Sequence, residues 1–191
     1  MNPVIQFEKW FDEELEKSNL KIPSACCFST IGKDGYPNSR FVSLKEVKNG
    51  KFIVTGPLNS RKGEEVHKTP KVALTFWWTA TERQVRIQGD ACLISREEAI
   101  AYFEERNKDS RIVSVAFEQG KEIKSVEELN ELFLKQKTIV GDKSVACPKH
   151  WGGFSIQPKR IEFMEFEESR LHKRTLFEYD TNKWTKQFLQ P

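Results

Sequence analysis

Hydrophobic positions along the chain follow two different periods. Near the N-terminus, Phe7, Trp10, Phe11 and Leu15 recur at helical spacing, which predicts an amphipathic helix over about residues 3–19 with one aromatic face on the body of the protein. From Ser24 onward, short β-branched and aromatic runs predict strands at residues 25–31, 39–47, 51–55, 72–79 and 84–94. The segments Gly32-Lys33-Asp34-Gly35 and Lys48-Asn49-Gly50 have the composition of hairpin turns, so we expect an antiparallel meander.

The second half of the chain mixes helical and strand signals. Ser95-Arg96-Glu97-Glu98 and Ser125-Val126-Glu127-Glu128 each match a capping box, which predicts a helix after each. Strand character then returns at residues 154–156, 160–166, 174–179 and 184–188. This order of elements, with strands first, helices inserted and strands last, favours an α+β barrel-like sheet over a parallel βαβ fold. The length of residues 1–191 fits one domain.

Composition excludes several classes of protein. Lys plus Arg exceed Asp plus Glu only by 31 to 28, so we expect no nucleic-acid partner. No apolar stretch is long enough for a bilayer and no leader pattern is visible, which favours a cytoplasmic protein without a membrane partner. The four cysteines form no C-x-x-C pair and the three histidines are isolated from them, so we predict buried reduced thiols and no metal site.

Two cations stand at the start of a short helical stretch, in Asn59-Ser60-Arg61-Lys62 ahead of residues 63–68. A helix dipole disfavours cations in the first turn, and a phosphate bound by Ser60, the two cations and the free backbone N–H groups would resolve that conflict. A solvated basic turn is the alternative, because it costs only a few tenths of a kcal/mol.

Three other segments carry candidate chemistry. Strand alternation would place Arg170, His172 and Arg174 on one face, as the wall of an anion pocket or as a solvated rim. Tyr102, Arg106 and Ser110 are spaced four apart, so a helix continuing through Asn107 would align them as a phosphate-binding row or as ordinary surface contacts.

Trp151-Gly152-Gly153-Phe154 indicates a backbone that turns or closely approaches a neighbour, either a planar ring system or an aromatic core corner. The chain has no dinucleotide fingerprint, P-loop, H-E-x-x-H motif or nucleophile elbow.

Six segments in chain order resemble the pyridoxamine 5'-phosphate oxidase family. Within residues 24–191 they are Arg40-Phe41-Val42-Ser43-Leu44-Lys45, Asn59-Ser60-Arg61-Lys62, Glu82-Arg83-Gln84-Val85, Tyr102-Phe103 with Arg106 and Asp109-Ser110, Trp151-Gly152-Gly153-Phe154, and Ile161-Glu162-Phe163 through Arg170-Leu171-His172-Lys173-Arg174. The resemblance implies an α+β fold, an antiparallel split β-barrel (the FMN-binding split barrel) with peripheral helices and a C-terminal signature over about residues 150–191.

The resemblance also implies an FMN cofactor at the subunit interface of a homodimer. The expected cofactor contacts are Arg40, Lys45, Arg61 and Lys62 around the phosphate and flavin edge, the backbone of Val42, Ser43 and Leu44 beside the ring, Thr55, Ser60 and Gln84, and, from the second subunit, Gln119, Trp151 and Arg174.

The implied reaction oxidises pyridoxamine or pyridoxine 5'-phosphate with O2 to pyridoxal 5'-phosphate and H2O2, with hydride passing from C4' to the flavin. On the substrate side, the family pattern assigns the 5'-phosphate to Lys45, Tyr102, Arg106 and Ser110. Arg170 and His172 would close over the pyridine ring and are the expected catalytic residues, because the protein's task is to orient the substrate against the flavin.

Four positions depart from the family pattern. Met164 replaces a usual Trp, Lys173 an acidic residue, Val54 an aromatic residue and Gly120 a small hydroxyl residue, and the N-terminal extension of longer members is largely missing. These departures affect how tightly the site closes over its substrate and which substrate the site accepts. Two alternatives therefore stand beside the main hypothesis: a sister oxidase acting on another aromatic substrate such as a phenazine precursor, and a non-catalytic flavin- or haem-binding split barrel.

Overall fold

The computed structural model describes residues 2–191, which form eight strands and five helices. In chain order these elements are α1 (Pro3–Lys17), β1 (Ala25–Ile31), β2 (Pro37–Lys48), β3 (Lys51–Pro57), α2 (Arg61–Lys68), β4 (Lys71–Trp78), β5 (Arg83–Leu93), α3 (Arg96–Glu104), α4 (Lys108–Ala116), α5 (Val126–Val140), β6 (Trp151–Glu165), β7 (Lys173–Asp180) and β8 (Lys183–Leu189).

All eight strands belong to one antiparallel sheet whose order is β3-β2-β1-β4-β5-β6-β7-β8. Strand β3 also pairs with β6, from Phe52 opposite Ile156 to Pro57 opposite Trp151. This pairing closes six strands into a barrel and leaves β7 and β8 as an extension beyond β6. The predicted α+β antiparallel barrel with peripheral helices is confirmed.

The hairpin between β2 and β3 shows why the turn composition predicts the meander. Asn49 and Gly50 have φ of 52° and 75°. Two successive positive φ values match the twist of a tight two-residue hairpin, and Asn-Gly is the pair that adopts them most readily. Lys48 and Lys51 therefore face each other at the end of the ladder.

Helix α1 covers the barrel with an aromatic face. Phe7 is fully buried and meets the rings of Phe52 and Phe76 edge-on at 4.8 and 5.0 Å. The predicted helix is confirmed, but its predicted face is wrong at Leu15, which is 38% exposed. Glu14 is buried instead, where its carboxylate accepts hydrogen bonds from the Ala80 N–H (3.3 Å) and the Thr81 hydroxyl (2.9 Å).

Apolar side chains form two separate cores. The larger core fills the barrel, with Phe28, Leu74, Val85 and Ile161 among its members. The smaller core lies between the outside of the barrel and the inserted helices, and it consists of Ile53, Ala99, Tyr102, Phe103, Ile112, Val145 and Trp151. Because successive strand residues point to opposite faces, β3 supplies Phe52 and Val54 to the barrel and Ile53 to the smaller core.

Two predicted strands, 154–156 and 160–166, are one strand in the structure. Strand β6 runs through Pro158, and its register against β5 shifts where Gln88 and Gly89 face Arg160 and Pro158. A β-bulge accommodates an extra residue and the missing N–H of a proline, so the pairing continues across Pro158.

Cysteine burial differs from the expectation in part. All four cysteines are free thiols, but Cys26 is buried while Cys92 is exposed. The prediction of buried thiols is therefore wrong for Cys92, which lies on the outward face near the end of β5. Among residues 2–191, no helix combines the length and the apolarity needed to cross a membrane.

Candidate functional site

Helix α2 starts two residues before the predicted stretch, at Arg61, so Arg61 and Lys62 both lie in its first turn. Ser60 occupies the N-cap position, but its side chain does not cap the helix. Its hydroxyl donates to the Pro57 carbonyl (2.6 Å) and accepts from Lys62 Nζ (3.1 Å). The first N–H groups of α2 therefore remain available to an anion.

Lys62 is a partly buried cation without a carboxylate partner in the described chain. Burial, together with the nearby Arg40, lowers the pKa of Lys62 to about 8. Its Nζ donates to Ser60 and to Gln119 Oε1 (2.5 Å), and it forms no ion pair within residues 2–191. A Cβ at Gly56 would lie 3.2 Å from Lys62 Cε and 3.3 Å from Nζ, so glycine in β3 makes room for this side chain.

Arg40 and Arg61 reach the same region from β2 and α2. Arg40 Nη2 donates to Glu65 Oε2 (3.1 Å), and Arg61 Nε donates to Glu65 Oε1 (3.0 Å). Three cations and the Ser60 hydroxyl thus surround the start of α2. This set of donors fits a phosphate monoester, because charged donors and free helix N–H groups are the usual ligands of phosphate.

Lys45 stands at an irregularity of β2. Leu44 pairs with Val54 and Glu46 pairs with Ile53, which leaves Lys45 as the extra residue of a bulge. A bulge redirects side chains at the edge of a barrel. Lys45 is half-buried and forms no ion pair within the described chain.

The remaining predicted ring contacts lie on neighbouring strands. On β2, Val42 is half-buried, Ser43 exposed and Leu44 buried. Thr55 of β3 pairs with Gly153, and Gln84 of β5 pairs with Met164.

The two glycines after Trp151 allow β3 and β6 to approach. A Cβ on Gly153 would lie 2.6 Å from the Val54 carbonyl oxygen, and a Cβ on Gly152 would lie 2.8 Å from Leu58 Cδ1. Trp151 itself is 1% exposed and packs against Phe103 at 5.1 Å. Within the chain these residues form a tight aromatic corner, and the indole Nε1 is buried without a hydrogen-bond partner.

Tyr102, Arg106 and Ser110 do not lie on one helix, so the predicted row is wrong in geometry. Helix α3 ends at Glu104, and Asn107 caps a new helix, α4, by accepting from the Ser110 N–H (2.8 Å). Asparagine at an N-cap satisfies the first N–H groups of the helix that follows it, which favours a break at this position.

The break between α3 and α4 gives Tyr102 and Arg106 different surroundings. Arg106 Nη1 donates to Ser114 Oγ (3.2 Å), and its guanidinium lies 5.3 Å from the centroid of the Trp151 ring. Burial lowers the pKa of Arg106. The Tyr102 hydroxyl donates instead to the Glu46 carboxylate; burial first, and this contact second, raise the pKa of Tyr102.

Arg170 and His172 precede β7 and do not alternate along a strand, so that prediction is also wrong. Arg170 lies in a turn with φ of 66°, is exposed, and its side chain makes no hydrogen bond within residues 2–191. His172 Nδ1 accepts from the Glu167 N–H (3.1 Å), which places the proton of the neutral ring on Nε2.

Arg174 lies in β7 and forms a two-pronged ion pair with the buried Glu162, at 2.8 Å from Nε and 2.7 Å from Nη2. Glu162 also accepts from Arg86 (2.7 Å). The sequence analysis assigned no role to Glu46, Glu65 or Glu162, although Glu162 lies in a segment that resembles the family. Only Glu65 carried a local signal, its spacing of four from Arg61 on a helix.

Gln119 was expected to act from a second subunit, and in this structure its side chain reaches Lys62 of its own chain. Among residues 2–191, no three His, Cys, Asp or Glu side chains converge as a metal site would require.

Comparison with known proteins is consistent with this architecture. The model of the family described as "Pyridoxamine 5'-phosphate oxidase" matches residues 11–131, and a model described as "Pyridoxine 5'-phosphate oxidase C-terminal dimerisation region" matches residues 151–191. Proteins named pyridoxine/pyridoxamine 5'-phosphate oxidase from Leptospira interrogans and Herminiimonas arsenicoxydans are 38% and 40% identical over 191 residues, covering all of this chain and 89% and 90% of the relatives.

Solved structures support the fold. PhzG from Burkholderia lata 383, in complex with tetrahydrophenazine-1-carboxylic acid, superposes with a TM-score of 0.91 at 24% identity, covering 100% of this chain and 93% of PhzG. A pyridoxamine 5'-phosphate oxidase-related, FMN-binding protein from Nostoc punctiforme has a TM-score of 0.80 at 16% identity, with 97% of each chain covered. From the two family models and the curated relatives, the chain belongs to the pyridoxamine 5'-phosphate oxidase family.

Proposed function

We propose that this chain oxidises pyridoxamine or pyridoxine 5'-phosphate with O2, giving pyridoxal 5'-phosphate and H2O2 in vitamin B6 metabolism. The observation that carries the proposal is the partly buried Lys62, which has no carboxylate partner in the described chain and lies beside Ser60 at the uncapped start of α2. The cofactor is FMN, in keeping with the family. Arg40, Arg61, Lys62 and Ser60 would hold its phosphate.

FMN bound here supplies the electron sink for the oxidation, and the chain's own residues bind and orient the substrate. Arg106 is half-buried against Trp151, and its guanidinium can donate charge-assisted hydrogen bonds to the substrate phosphate. Lys45 and Ser110 are further donors. His172 presents Nε2–H as a donor, because its Nδ1 is already engaged by the backbone. Arg170 has a side chain with no competing hydrogen bond, which leaves it available to close over a ring.

The family match includes a dimerisation region over residues 151–191, which supports a homodimer. Phe41, Trp77 and Phe188 are 79%, 61% and 78% exposed in the single chain, and large exposed aromatic side chains favour burial between subunits. Sedimentation of the flavin-loaded protein tests this, and a monomer with stoichiometric FMN would contradict it. Four free thiols support a reducing compartment, and we propose the cytoplasm.

A second candidate is a flavin oxidase for an aromatic substrate without a phosphate. The observation that favours it is the Glu46 carboxylate on the Tyr102 hydroxyl, since a negative charge there opposes a phosphate dianion.

One set of assays separates these functions. The visible spectrum of the purified protein distinguishes flavin from haem, and pyridoxal 5'-phosphate formation is followed with both phosphorylated substrates. Unphosphorylated pyridoxine and a tetrahydrophenazine carboxylic acid serve as comparison substrates. Turnover only with the phosphorylated pair supports the first proposal, turnover only with the phenazine supports the second, and a flavin spectrum without turnover would indicate a carrier.

A further inference from the structure

Glu65 is a buried carboxylate within the cation cluster, the group formed by Arg40, Arg61 and Lys62 at the start of α2. It is 2% exposed, and each of its oxygens accepts two hydrogen bonds. Oε1 accepts from Asn38 Nδ2 (2.6 Å) and Arg61 Nε (3.0 Å), and Oε2 accepts from Thr30 Oγ1 (2.5 Å) and Arg40 Nη2 (3.1 Å). Burial acts to raise the pKa of Glu65, but the bonds from Thr30, Arg61 and Arg40 hold it below its ordinary value. The group is therefore ionised at neutral pH.

This carboxylate joins two arginines that come from different elements. Arg40 is further fixed through Nη1, which donates to the Phe28 and Asn38 carbonyls at 3.3 and 3.2 Å. Arg61 donates to Glu65 through Nε alone, its side chain is 65% exposed, and its Nη2 lies 4.0 Å from the exposed carboxylate of Asp34. A guanidinium held by one edge presents its other edge in a defined direction, which saves the entropy of ordering it when an anion binds.

The charges of the cluster also match a phosphate. Arg40, Arg61 and Lys62 carry three positive charges and Glu65 one negative charge, so these four groups have a net charge of about +2; the exposed Asp34, 4.0 Å from Arg61 Nη2, adds a negative charge at the rim. A phosphate monoester carries about −1.5 to −2 at pH 7. Glu65 thus has two opposite influences on an anion: it lowers the local positive charge, and it orders the two arginines.

We propose that Glu65 is a positioning residue for the phosphate end of FMN, acting through Arg40 and Arg61, with ordering outweighing charge reduction. The inference rests on the proposed function, in which these arginines bind the cofactor phosphate. Glu65 itself faces the arginines and touches neither cofactor nor substrate in this role.

The test compares Glu65→Gln with the matched control Glu64→Gln. Glu64 is the neighbouring helix residue, exposed, and paired with Lys33 at 2.7 Å. Full-length protein freed of flavin is titrated with FMN and with riboflavin, which lacks the phosphate. Glutamine places an NH2 group against one of the two arginines, so Glu65→Gln should raise the Kd for FMN about ten- to a hundredfold. Its riboflavin Kd should change less than about twofold, and Glu64→Gln should leave both values unchanged.

The outcomes separate the possible roles. Equal weakening of FMN and riboflavin would mean that Glu65 only supports the fold, and tighter FMN binding would mean that charge reduction dominates; either result overturns the proposal. If Glu65→Gln does not fold, Thr30→Val removes one bond to Glu65 and one from Arg40, and should weaken FMN a few-fold without affecting riboflavin. Wild-type protein that binds FMN and riboflavin equally would instead overturn the phosphate site of the proposed function.

Discussion

Raising the pH from 7 to 9 should weaken FMN binding about tenfold through a single side chain, Lys62. Its pKa lies at about 8 instead of 10.5, because it is partly desolvated, lies near Arg40 and pairs with no carboxylate of the described chain. The difference corresponds to about 3 kcal/mol disfavouring the charged form. A phosphate dianion next to Nζ would remove most of this penalty, so FMN binding should raise the pKa of Lys62 again.

The sign of the effect follows from this linkage. A ligand that prefers protonated Lys62 binds less tightly once the pH passes the pKa of the free protein. At pH 9, one unit above that pKa, about one molecule in ten still carries the proton, which accounts for the tenfold loss. The second pKa of a phosphate monoester is about 6, so the ligand remains a dianion between pH 7 and 9.

Fluorescence titration of flavin-free protein at several pH values measures this dependence. Lys62→Arg is the matched control, because a guanidinium stays charged throughout the range and its FMN affinity should not vary. Riboflavin should also show no pH dependence through this residue. The reasoning is refuted if wild-type FMN affinity is constant from pH 7 to 9, or if Lys62→Arg has the same slope as the wild type.

Three other changes test the substrate site and the core. Arg106→Ala should raise KM for pyridoxine 5'-phosphate about ten- to a hundredfold at normal flavin content, whereas Arg170→Ala should also lower kcat, because it disturbs orientation over the reacting ring. Wild-type kcat/KM in both variants would refute these roles. Glu46→Gln should lower KM for the phosphorylated substrate but not for pyridoxine, since it removes the carboxylate that competes for Tyr102, and the gain should vanish in a Tyr102→Phe background. Phe7→Ala should lower the free energy of unfolding in urea by about 3–5 kcal/mol, and a loss below about 1 kcal/mol would contradict the packing of α1 on the barrel.

Local patterns predicted most of the elements, because those signals involve neighbouring residues. The Asn49-Gly50 turn and the Ser95 capping box depend on backbone preferences that a few residues express by themselves. The two cations at the start of α2 were also visible locally, but their position fitted a phosphate site and a solvated basic turn equally. The position of Leu15 was not predictable in this way, since helical spacing does not show where the buried face ends.

The tertiary structure decided how these pieces meet. Closure of the barrel by β3 and β6 joins strands about a hundred residues apart, and no local pattern encodes that pairing. The turn at Arg170, with its positive φ, replaced the strand alternation that the sequence suggested. The break between α3 and α4 has a local cause, the Asn107 cap on the Ser110 N–H, which the regular spacing of four did not reveal. Glu65 shows the difference most clearly. Its spacing from Arg61 was visible in the sequence, but its bond to Arg40 exists only because α2 packs beside β2. Electrostatic partners depend on distances in space, so the sequence showed the cations of the candidate site and only the fold showed which carboxylates contact them.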